Sequence, residues 1–405
     1  MAMNQTPAAN RIHIGFFGRR NAGKSSIVNA VTGQSLTIVS PVKGTTTDPV
    51  YKTMELLPMG PVMIIDTPGI DDEGELGELR VKKTRQVLNK TDVAILVVDG
   101  SAGMTASDDE MERLIRDKNI PYIVVMNKAD ICKDKMEKTV NEENKSIWVS
   151  AKTGEGIYEL KEHIAHLSKQ EETQRKIVGD LLERGDFVVL VTPIDASAPK
   201  GRLILPQQQT IRDILDAGAV SIVVKETELK DTLERLGTKP KLVITDSQVF
   251  KQVAEVTPKD IELTSFSILF ARYKGELEAL IAGVQALDEL EDGDFVLISE
   301  GCTHHRQCDD IGTSKIPKWV ANYTGKNIQY EWSSGTEFPE DLSKYKMIIH
   351  CGGCMLNARE MSYRQKCAKD QGVPMVNYGI LIAQTQGILK RSIEVIVKKI
   401  ADNDE

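Results

Sequence analysis

The feature that most constrains the fold is an apolar segment followed directly by a glycine-rich loop and a helix. Residues 12–17 have the composition of a buried strand, residues 18–25 read Gly-Arg-Arg-Asn-Ala-Gly-Lys-Ser, and a helix is predicted from residue 25 to about 31. This is G-x-x-x-x-G-K-S in a strand–loop–helix context, which is typical of a phosphate-binding loop. Loop N–H groups would hold a β-phosphate, Lys24 would neutralise β- and γ-phosphate charge, and the Ser25 hydroxyl would bind Mg²⁺. The pattern predicts an α/β nucleotide-binding domain.

Three further short motifs each follow a predicted strand. Asp-Thr-Pro-Gly occupies 66–69 after strand 61–66, Asn-Lys-Ala-Asp occupies 127–130 after strand 121–126, and Ser-Ala-Lys at 150–152 closes another short strand. Their order resembles the TRAFAC class of translation-factor-like GTPases. The resemblance implies that Asp66 holds Mg²⁺ through water, Asp130 binds the guanine amino and imino groups, Asn127 and Lys128 support the base, and Ala151 contacts its carbonyl. It implies GTP rather than ATP.

The same resemblance assigns the remaining residues of the site. Segment 44–49 lies where the family has its first switch, and Thr46 is taken as a Mg²⁺ ligand beside Ser25, whereas Thr45 and Thr47 fit an ordinary loop equally well. The residues assigned to hydrolysis are Lys24, Thr46 and Gly69. The residues assigned to GTP are Asn21, Ala22, Gly23, Lys24, Ser25, Ser26, Asp66, Asn127, Lys128, Asp130, Ser150, Ala151 and Lys152.

Two positions bear on how GTP would be hydrolysed. Ile70 stands where Ras-like proteins have a water-orienting Gln, so hydrolysis is expected to be slow or to use another device. The form G-x-x-N-x-G-K-S, with Asn21, resembles GTPases that bind K⁺ beside the phosphates and use its charge where others use an arginine. We therefore expect a GTPase stimulated by K⁺. The alternative is that Asn21 only caps the loop.

Length and composition bound the rest of the chain. At 405 residues, about 150 per domain gives two or three domains. No apolar run approaches the roughly 20 residues of a membrane helix. Residues 1–11 lack a signal sequence, and six unevenly placed cysteines do not form a disulfide framework, so a cytoplasmic protein without membrane partners is expected. A net charge of −8 argues against nucleic acid as a general partner.

The alternation of predicted strands and helices divides the chain into three α/β segments. These are a GTP-binding domain at 1–170, a small parallel dimerisation domain at 177–265 after a polar linker, and a cluster-binding domain at 266–405. The middle domain contains strands 187–191, 220–224 and 242–245 but no chemistry-bearing set, which indicates scaffolding and self-association. The last domain has strands 295–300, 347–350 and 373–376 and helices 275–290, 317–323, 358–369 and 380–400.

Two cysteine motifs follow strands of the last segment. Cys302-Thr303-His304 comes after strand 295–300, and Cys-Gly-Gly-Cys at 351–354 comes after strand 347–350, with 46 residues between His304 and Cys351. Carboxyl ends of parallel strands meet in one crevice, where ligands bind. Three thiolates and an imidazole suit tetrahedral zinc or an iron–sulfur cluster, whereas a single cysteine is more often a buried apolar residue. Cys308 is an alternative ligand, and Cys132 and Cys367 stay outside the set.

The helix after the second cysteine motif carries four basic residues. They are Arg359, Arg364, Lys366 and Lys369. We expect them to form a solvated basic face, which would also suit an anionic cluster or an acidic partner.

The combination of a GTP-binding domain, a βαβ middle segment and these cysteine motifs resembles the [FeFe]-hydrogenase maturation GTPases, the HydF family. The resemblance covers nearly the whole chain. It implies a [4Fe–4S] cluster on Cys302, Cys351 and Cys354, with His304 as a weak or absent fourth ligand, and a homodimer formed through the middle domain. It also implies a scaffold or carrier that assembles a transient diiron CO/CN⁻ subcluster of the H-cluster, or delivers it to apo-[FeFe]-hydrogenase. Radical-SAM maturases would be further partners, and GTP would control partner exchange.

Two other function classes remain open from the residues alone. One is a regulatory or RNA-related GTPase of the Era or MnmE kind, with a structural zinc ion on three cysteines and a histidine. The other is a redox enzyme that uses a cluster for electron transfer, although the chain has no recognisable flavin or second cluster motif.

Overall fold

The chain forms two compact units, Met1–Gln174 and Arg175–Glu405. The computed structural model describes residues 8–34, 49–70, 83–84, 86–132, 145–169, 175–194, 203–301, 311–335 and 337–404. Within these residues, no helix is long and apolar enough to cross a membrane.

The first unit is built on a six-stranded sheet in the order β2-β3-β1-β4-β5-β6, in which only the β2–β3 pair is antiparallel. The strands are β1 (Ile12–Phe17), β2 (Val50–Leu56), β3 (Gly60–Asp66), β4 (Val93–Asp99), β5 (Tyr122–Asn127) and β6 (Ser146–Trp148). The helices are α1 (Lys24–Thr32), α2 (Ala106–Asp117) and α3 (Ile157–Lys169), with short 3₁₀ turns at Ala8–Asn10 and Ala129–Ile131.

Strand β4 shows why the strands of this sheet have uninterrupted apolar sequences. Val93, Ile95 and Val97 pack into one core with α1 and α3, whereas Ala94, Leu96 and Val98 pack into a second core with α2. Successive side chains of a strand point to opposite faces, so a sheet covered on both faces needs apolar residues at every position. The loops after its strands are left to carry the polar motifs.

The second unit contains two four-stranded parallel sheets, ordered β10-β9-β7-β8 and β12-β11-β13-β14. The first comprises β7 (Phe187–Val191), β8 (Val220–Val224), β9 (Leu242–Thr245) and β10 (Glu262–Ser265). The second comprises β11 (Phe295–Glu300), β12 (Gln329–Ser334), β13 (Met347–His350) and β14 (Met375–Asn377).

The helices of the second unit are α4 (Leu205–Asp216), α5 (Leu229–Arg235), α6 (Phe250–Val256), α7 (Phe266–Lys274), α8 (Leu277–Gly283), α9 (Ile316–Thr324), α10 (Ala358–Asp370), α11 (Tyr378–Thr385) and α12 (Leu389–Asp404). Short 3₁₀ turns occupy Gly179–Leu181, Ser247–Val249 and Val284–Glu289, and a π-helical turn, Ile311–Lys315, precedes α9. One continuous apolar core, from Ile177 to Ile396, joins both sheets. The predicted boundary between residues 265 and 266 therefore divides a shared core, and it stays a prediction.

The α/β class and the parallel sheets agree with the sequence prediction, and several elements differ. The single helix predicted over 380–400 is two helices, separated at Gly387, whose φ is 72°. The predicted helix 275–290 ends as α-helix at Gly283 and continues as a 3₁₀ turn. Strands β4, β10 and β12 were not predicted from the sequence. Strand β4 is central and apolar, whereas β10 and β12 lie at sheet edges, where part of the surface meets water and apolar periodicity weakens.

Candidate nucleotide and cluster sites

In the first unit, the phosphate-binding loop connects β1 to α1. Lys24 is buried and its Nζ donates to the carbonyls of Gly18 at 2.8 Å and Arg19 at 2.9 Å, so the ammonium lies along the loop. Gly23 has φ 94°, and a Cβ there would lie 2.1 Å from the Asn127 side chain. Asn21 also has a left-handed backbone, with φ 59°. The loop conformation thus depends on glycine where the motif requires it.

The first turn of α1 meets the end of β3 at the predicted magnesium position. The Ser25 hydroxyl donates to Asp66 Oδ2 at 2.7 Å, and Asp66 is only 3% exposed. Burial raises the pKa of Asp66, against the Ser25 hydrogen bond and the Lys24 charge. Asp66 Oδ1 is buried with no hydrogen-bond partner among the described residues. A buried carboxylate oxygen without a donor, beside a serine hydroxyl, fits Mg²⁺ and its water ligands.

Asn127 connects the three loops of the predicted base site. Its Nδ2 donates to the Ala22 carbonyl at 3.0 Å, and its Oδ1 accepts from the Ala151 N–H at 3.2 Å. The Ser150 hydroxyl donates to Asp130 Oδ1 at 2.8 Å. These bonds bring together the phosphate loop, the Asn-Lys-Ala-Asp motif and the Ser-Ala-Lys motif, although they come from segments far apart in sequence.

Lys128 extends in another direction and pairs with Asp99 at the end of β4. Burial opposes ionisation of Asp99, but hydrogen bonds from Lys128 and Ser101 hold its pKa below the ordinary value. The other assigned residues take their places around the loops: Ser26 is half-buried in α1, Gly69 is buried after β3, and Lys152 is exposed. Thr46 lies outside the described residues.

One contact of the phosphate loop was missed in the sequence. Arg19 Nε donates to Asp108 Oδ2 at 3.0 Å, and the Asp108 side chain is completely buried at the start of α2. The same oxygen accepts from the N–H and hydroxyl of Thr105, which caps that helix. Arg19 therefore holds the phosphate loop against α2. No sequence signal marked it, because the motif leaves this position unspecified.

In the second unit, both strands predicted to precede the cysteine motifs are present, as β11 and β13. Strands β11 and β13 are parallel neighbours with Ser299 opposite His350, so Gly301 and Cys351 leave the same sheet edge together. The Gly301 N–H donates to Cys351 Sγ at 3.0 Å, and the Gly353 N–H donates to it at 3.4 Å. Gly353 has φ 60°, and a Cβ there would lie 2.5 Å from Met361 Sδ. The turn of residues 351–356, named the cysteine loop below, requires glycine at 353.

The thiols of this loop are neutral when they bind no metal. Burial raises the pKa of Cys351 to about 11 despite its two N–H donors, and burial also raises the pKa of Cys354 against the charge of Lys274. Backbone N–H donors to a half-buried cysteine sulfur suit a metal-bound thiolate. Cys302, His304 and Cys308 lie outside the described residues, which contain no group of three or more metal-ligating side chains.

His350 precedes the cysteine loop and is held by a buried network that the sequence did not predict. Its Nδ1 lies 2.7 Å from the Cys351 carbonyl and its Nε2 lies 3.1 Å from Arg364 Nη1. Burial, with the nearby Arg364 charge, lowers the pKa of His350 to about 3. A neutral ring that donates from Nδ1 to the carbonyl and accepts at Nε2 satisfies both contacts.

Arg364 corrects the expectation of a solvated basic face on helix 358–369. Its side chain is completely buried and pairs with Glu360 at 3.0 Å. It also donates to the Gly335 carbonyl at 2.7 Å and to the Ser299 hydroxyl at 3.3 Å. The expectation was wrong for Arg364 because helical spacing does not show which face meets the sheet; Lys366 and Lys369 are exposed as expected.

Family models match three parts of the chain. Residues 13–128 match the 50S ribosome-binding GTPase model, residues 177–275 match the hydrogen maturase F dimerization domain, and residues 278–395 match the hydrogen maturase F tetramerization domain. The chain belongs to the hydrogen maturase F family. This confirms the predicted family, and it confirms the fold class of a GTPase domain followed by α/β domains. The two association domains support the predicted homo-oligomer.

Curated relatives match less than half of this family member. The tRNA modification GTPase MnmE of Endomicrobium trichonymphae is 33% identical over 190 residues, 46% of this chain and 41% of that protein. The GTPase Der of Wolinella succinogenes is 34% identical over 189 residues, 44% of this chain and 40% of that protein. The chain therefore spans about two-fifths of the length of the curated relatives that it matches.

Solved structures of GTPases also resemble only part of this chain. Aquifex aeolicus Era bound to GDP·AlF₄⁻ is 20% identical with a TM-score of 0.35, covering 56% of this chain and 98% of that one. The G domain of the T. maritima FeoB iron transporter is 26% identical with a TM-score of 0.31, covering 39% of this chain and 99% of that one.

Proposed function

We propose that this protein hydrolyses GTP and carries a [4Fe–4S] cluster in the maturation of [FeFe]-hydrogenase, where it assembles the diiron CO/CN⁻ subcluster or delivers it to the apo-hydrogenase. The observation that carries the proposal is the match of both hydrogen maturase F domains over residues 177–275 and 278–395. Radical-SAM maturases that make the CO and CN⁻ ligands are the expected upstream partners.

The first unit would bind GTP with Mg²⁺ through the loops joined by Asn127. Asp130, positioned by Ser150, would bind the guanine, Lys24 would neutralise phosphate charge, and Ser25 with Asp66 would hold Mg²⁺ and its waters. Thr46 and Gly69 would complete the site, and Asn21 would hold K⁺ beside the phosphates.

The second unit would hold the cluster through Cys302, Cys351 and Cys354, with His304 weak or absent as a fourth ligand. The residues present fit such a group, since the sulfur of the half-buried Cys351 accepts backbone N–H groups from Gly301 and Gly353 at the end of β13. A bound cluster supplies irons that three thiolates hold firmly, and a fourth position that can exchange.

The test is anaerobic reconstitution with iron and sulfide, followed by assays of iron content, GTP hydrolysis and activation of apo-hydrogenase. We expect Cys351→Ala to lose the iron and the activation while it keeps GTP hydrolysis. Lys24→Ala should lose hydrolysis and keep the iron, whereas Cys367→Ala, a cysteine outside the ligand set, should match wild type. Failure of the reconstituted wild-type protein to bind iron or to activate the hydrogenase would contradict the proposal.

The fourth ligand position needs its own variant. We expect His304→Ala to keep about four irons per chain, because three thiolates suffice to hold the cluster, and to alter only its EPR spectrum. If His304→Ala lost the iron as completely as Cys351→Ala, the site would be closed by four protein ligands.

Self-association is proposed through the open edge of the first sheet of the second unit. At one edge, α12 packs along β10, and Lys398 Nζ lies 3.9 Å from Glu262 Oε1. At the other edge, β8 pairs only with β7 among the described strands, and Val220 and Val223 are 40% and 42% exposed. An uncovered, apolar edge strand favours pairing with a second chain.

A charge on β8 tests this edge. We expect Val223→Lys to shift the protein toward monomer in sedimentation, whereas Val397→Lys, at an exposed position of α12, should leave the oligomer unchanged. An unchanged oligomer in Val223→Lys would place the interface elsewhere.

A second candidate function is that of a regulatory or RNA-related GTPase with a structural zinc ion. The likeness to MnmE and Der supports it. The reconstitution experiment separates the two, because a zinc protein is colourless and an iron–sulfur protein is brown. Zinc retained at one ion per chain, with no uptake of iron, would favour this candidate.

A further inference from the structure

Lys274 is a buried lysine at the end of α7 whose side chain reaches the cysteine loop. Its Nζ donates to the carbonyls of Leu356 at 2.8 Å, Gly353 at 2.9 Å and Cys354 at 3.3 Å. Only 3% of the residue is exposed. The Lys274 Nζ thus forms hydrogen bonds to three carbonyl groups of a turn that lies about 80 residues further along the chain.

The number of acceptors fits a charged nitrogen. An ammonium group has three N–H donors and no acceptor, so it satisfies three carbonyls at once. A neutral amine has two N–H donors and a lone pair that would face the third carbonyl. The geometry of the turn is therefore that of a bound cation.

A buried cation normally has an anionic partner, because removing a charge from water is costly. No ion pair of Lys274 occurs within the described part of the chain, and its Nζ lies 5.7 Å from the centroid of the Phe270 ring. Burial lowers the pKa of Lys274 to about 8, and negative charge on Cys354 and Cys351 would oppose that shift. The anion that this lysine fits is a metal-bound thiolate group.

Lys274 also comes from a different matched domain than the loop it contacts. It lies within the dimerization domain, residues 177–275, whereas the cysteine loop lies within the tetramerization domain, residues 278–395. On the same helix, Arg272 pairs with Asp180, near the start of the second unit. Helix α7 thus anchors the cysteine loop to the dimerization segment.

We propose that Lys274 is a positioning residue of the cluster site, which fixes the cysteine loop through its carbonyls and supplies a buried positive charge that stabilises the reduced cluster. This inference rests on the proposed function for the charge and on the structure alone for the loop. Uptake of one electron from dithionite converts [4Fe–4S]²⁺ to [4Fe–4S]⁺, which adds one negative charge. A fixed cation beside the thiolates favours that product, since local charge sets the potential of such clusters.

The variants are Lys274→Met, which removes the charge and the donors, and Lys274→Gln, which keeps amide donors without the charge. The matched control is Lys369→Met, which removes one charge from an exposed lysine of α10. The full chain is reconstituted anaerobically, and its midpoint potential is measured by EPR during titration with dithionite.

We expect the reduction equilibrium constant to fall about tenfold or more in both Lys274 variants, which is about 59 mV toward negative potential for a one-electron couple. Lys369→Met should keep the wild-type potential. If Lys274→Met folds less well than wild type, the midpoint potential of Lys274→Gln alone tests the effect of the charge.

A second measurement needs no cluster. In the iron-free protein, amide hydrogen exchange across residues 351–356 should be about tenfold faster in Lys274→Met, because a charged hydrogen-bond donor to the loop is lost. Lys369→Met should exchange like wild type. Wild-type exchange together with a wild-type potential in Lys274→Met would overturn the inference. A wild-type protein that binds no cluster would refute the proposed function, and exchange would then decide the positioning role.

Discussion

Removing the guanidinium of Arg364 should destabilise the second unit more than any exposed arginine can. Arg364 is completely buried, and its partner Glu360 has a side chain that is 6% exposed. In Arg364→Met, the apolar stem is kept, but the Glu360 carboxylate loses its cation, and the Gly335 carbonyl and His350 Nε2 lose their donor. Breaking a buried ion pair by removing one partner costs about 3–5 kcal/mol.

Fluorescence gives a readout of this unit alone. Trp148 lies in the first unit, whereas Trp319 and Trp332 lie in the second, so a Trp148→Phe background makes urea unfolding report on residues 175–405. In that background we expect Arg364→Met to lower the free energy of unfolding by about 3–5 kcal/mol. Adding Glu360→Gln should recover at least about 1 kcal/mol, because the stranded charge is then removed.

The matched control is Arg212→Met. Arg212 also pairs with an acid one helical turn away, Asp216, but the side chains are 77% and 57% exposed. An exposed pair of this kind contributes at most about 0.5 kcal/mol. If Arg364→Met cost less than about 1 kcal/mol, or no more than Arg212→Met, the argument from burial would be refuted.

Three other predictions follow from the two sites. GTP hydrolysis should be faster in K⁺ than in Na⁺ at equal ionic strength, because Asn21 is in place and residue 70 is not Gln; equal phosphate release in the two salts would contradict this. Burial raises the pKa of Asp66 in the folded protein above its value in the unfolded chain. At a pH above the folded-state pKa, the ionised carboxylate therefore lowers the free energy of unfolding, and at a pH below the unfolded-state pKa this destabilisation is absent. Asp66→Asn should therefore raise the melting temperature of the nucleotide-free first unit at neutral pH while hydrolysis is lost, and a lower melting temperature would show that reasoning to be wrong. His350 has a pKa of about 3 when folded, against about 6.5 when unfolded, so the unfolded chain binds the extra proton between these values. The stability of the second unit should fall by about 1.4 kcal/mol per pH unit as pH drops below about 6.5, and that slope should shrink in His350→Gln, as urea unfolding at several pH values would show.

The sequence could predict that the candidate nucleotide-site residues come together, because they lie in short motifs at strand ends. Asp66, Asn127 and Ala151 belong to loops whose positions are set by one sheet, so strand order alone brings them together. In the same way, the sequence places one cysteine motif after β11 and the other after β13, and these two strands are neighbours in one sheet.

Side chains that act across the fold were not predicted. Arg19 and Lys274 have ordinary positions in the sequence and bind partners at least 79 residues away, Asp108 and the cysteine loop. Arg364 pairs with Glu360 one helical turn away, but its burial depends on contacts with distant segments such as Ser299. Whether a basic helical residue meets water or a carboxylate depends on which face packs on the sheet. A local pattern does not contain that information.

The single core of the second unit has a consequence for synthesis on the ribosome. Its members run from Ile177 to Ile396, so strands made early, such as β7, are covered fully only after α12 has emerged. The first unit has cores of its own that end at Ile164 and can close while the rest is still being translated. The nascent second unit therefore exposes apolar strand surface for more than half of the chain's translation, and this is the stage at which chaperones would be needed most.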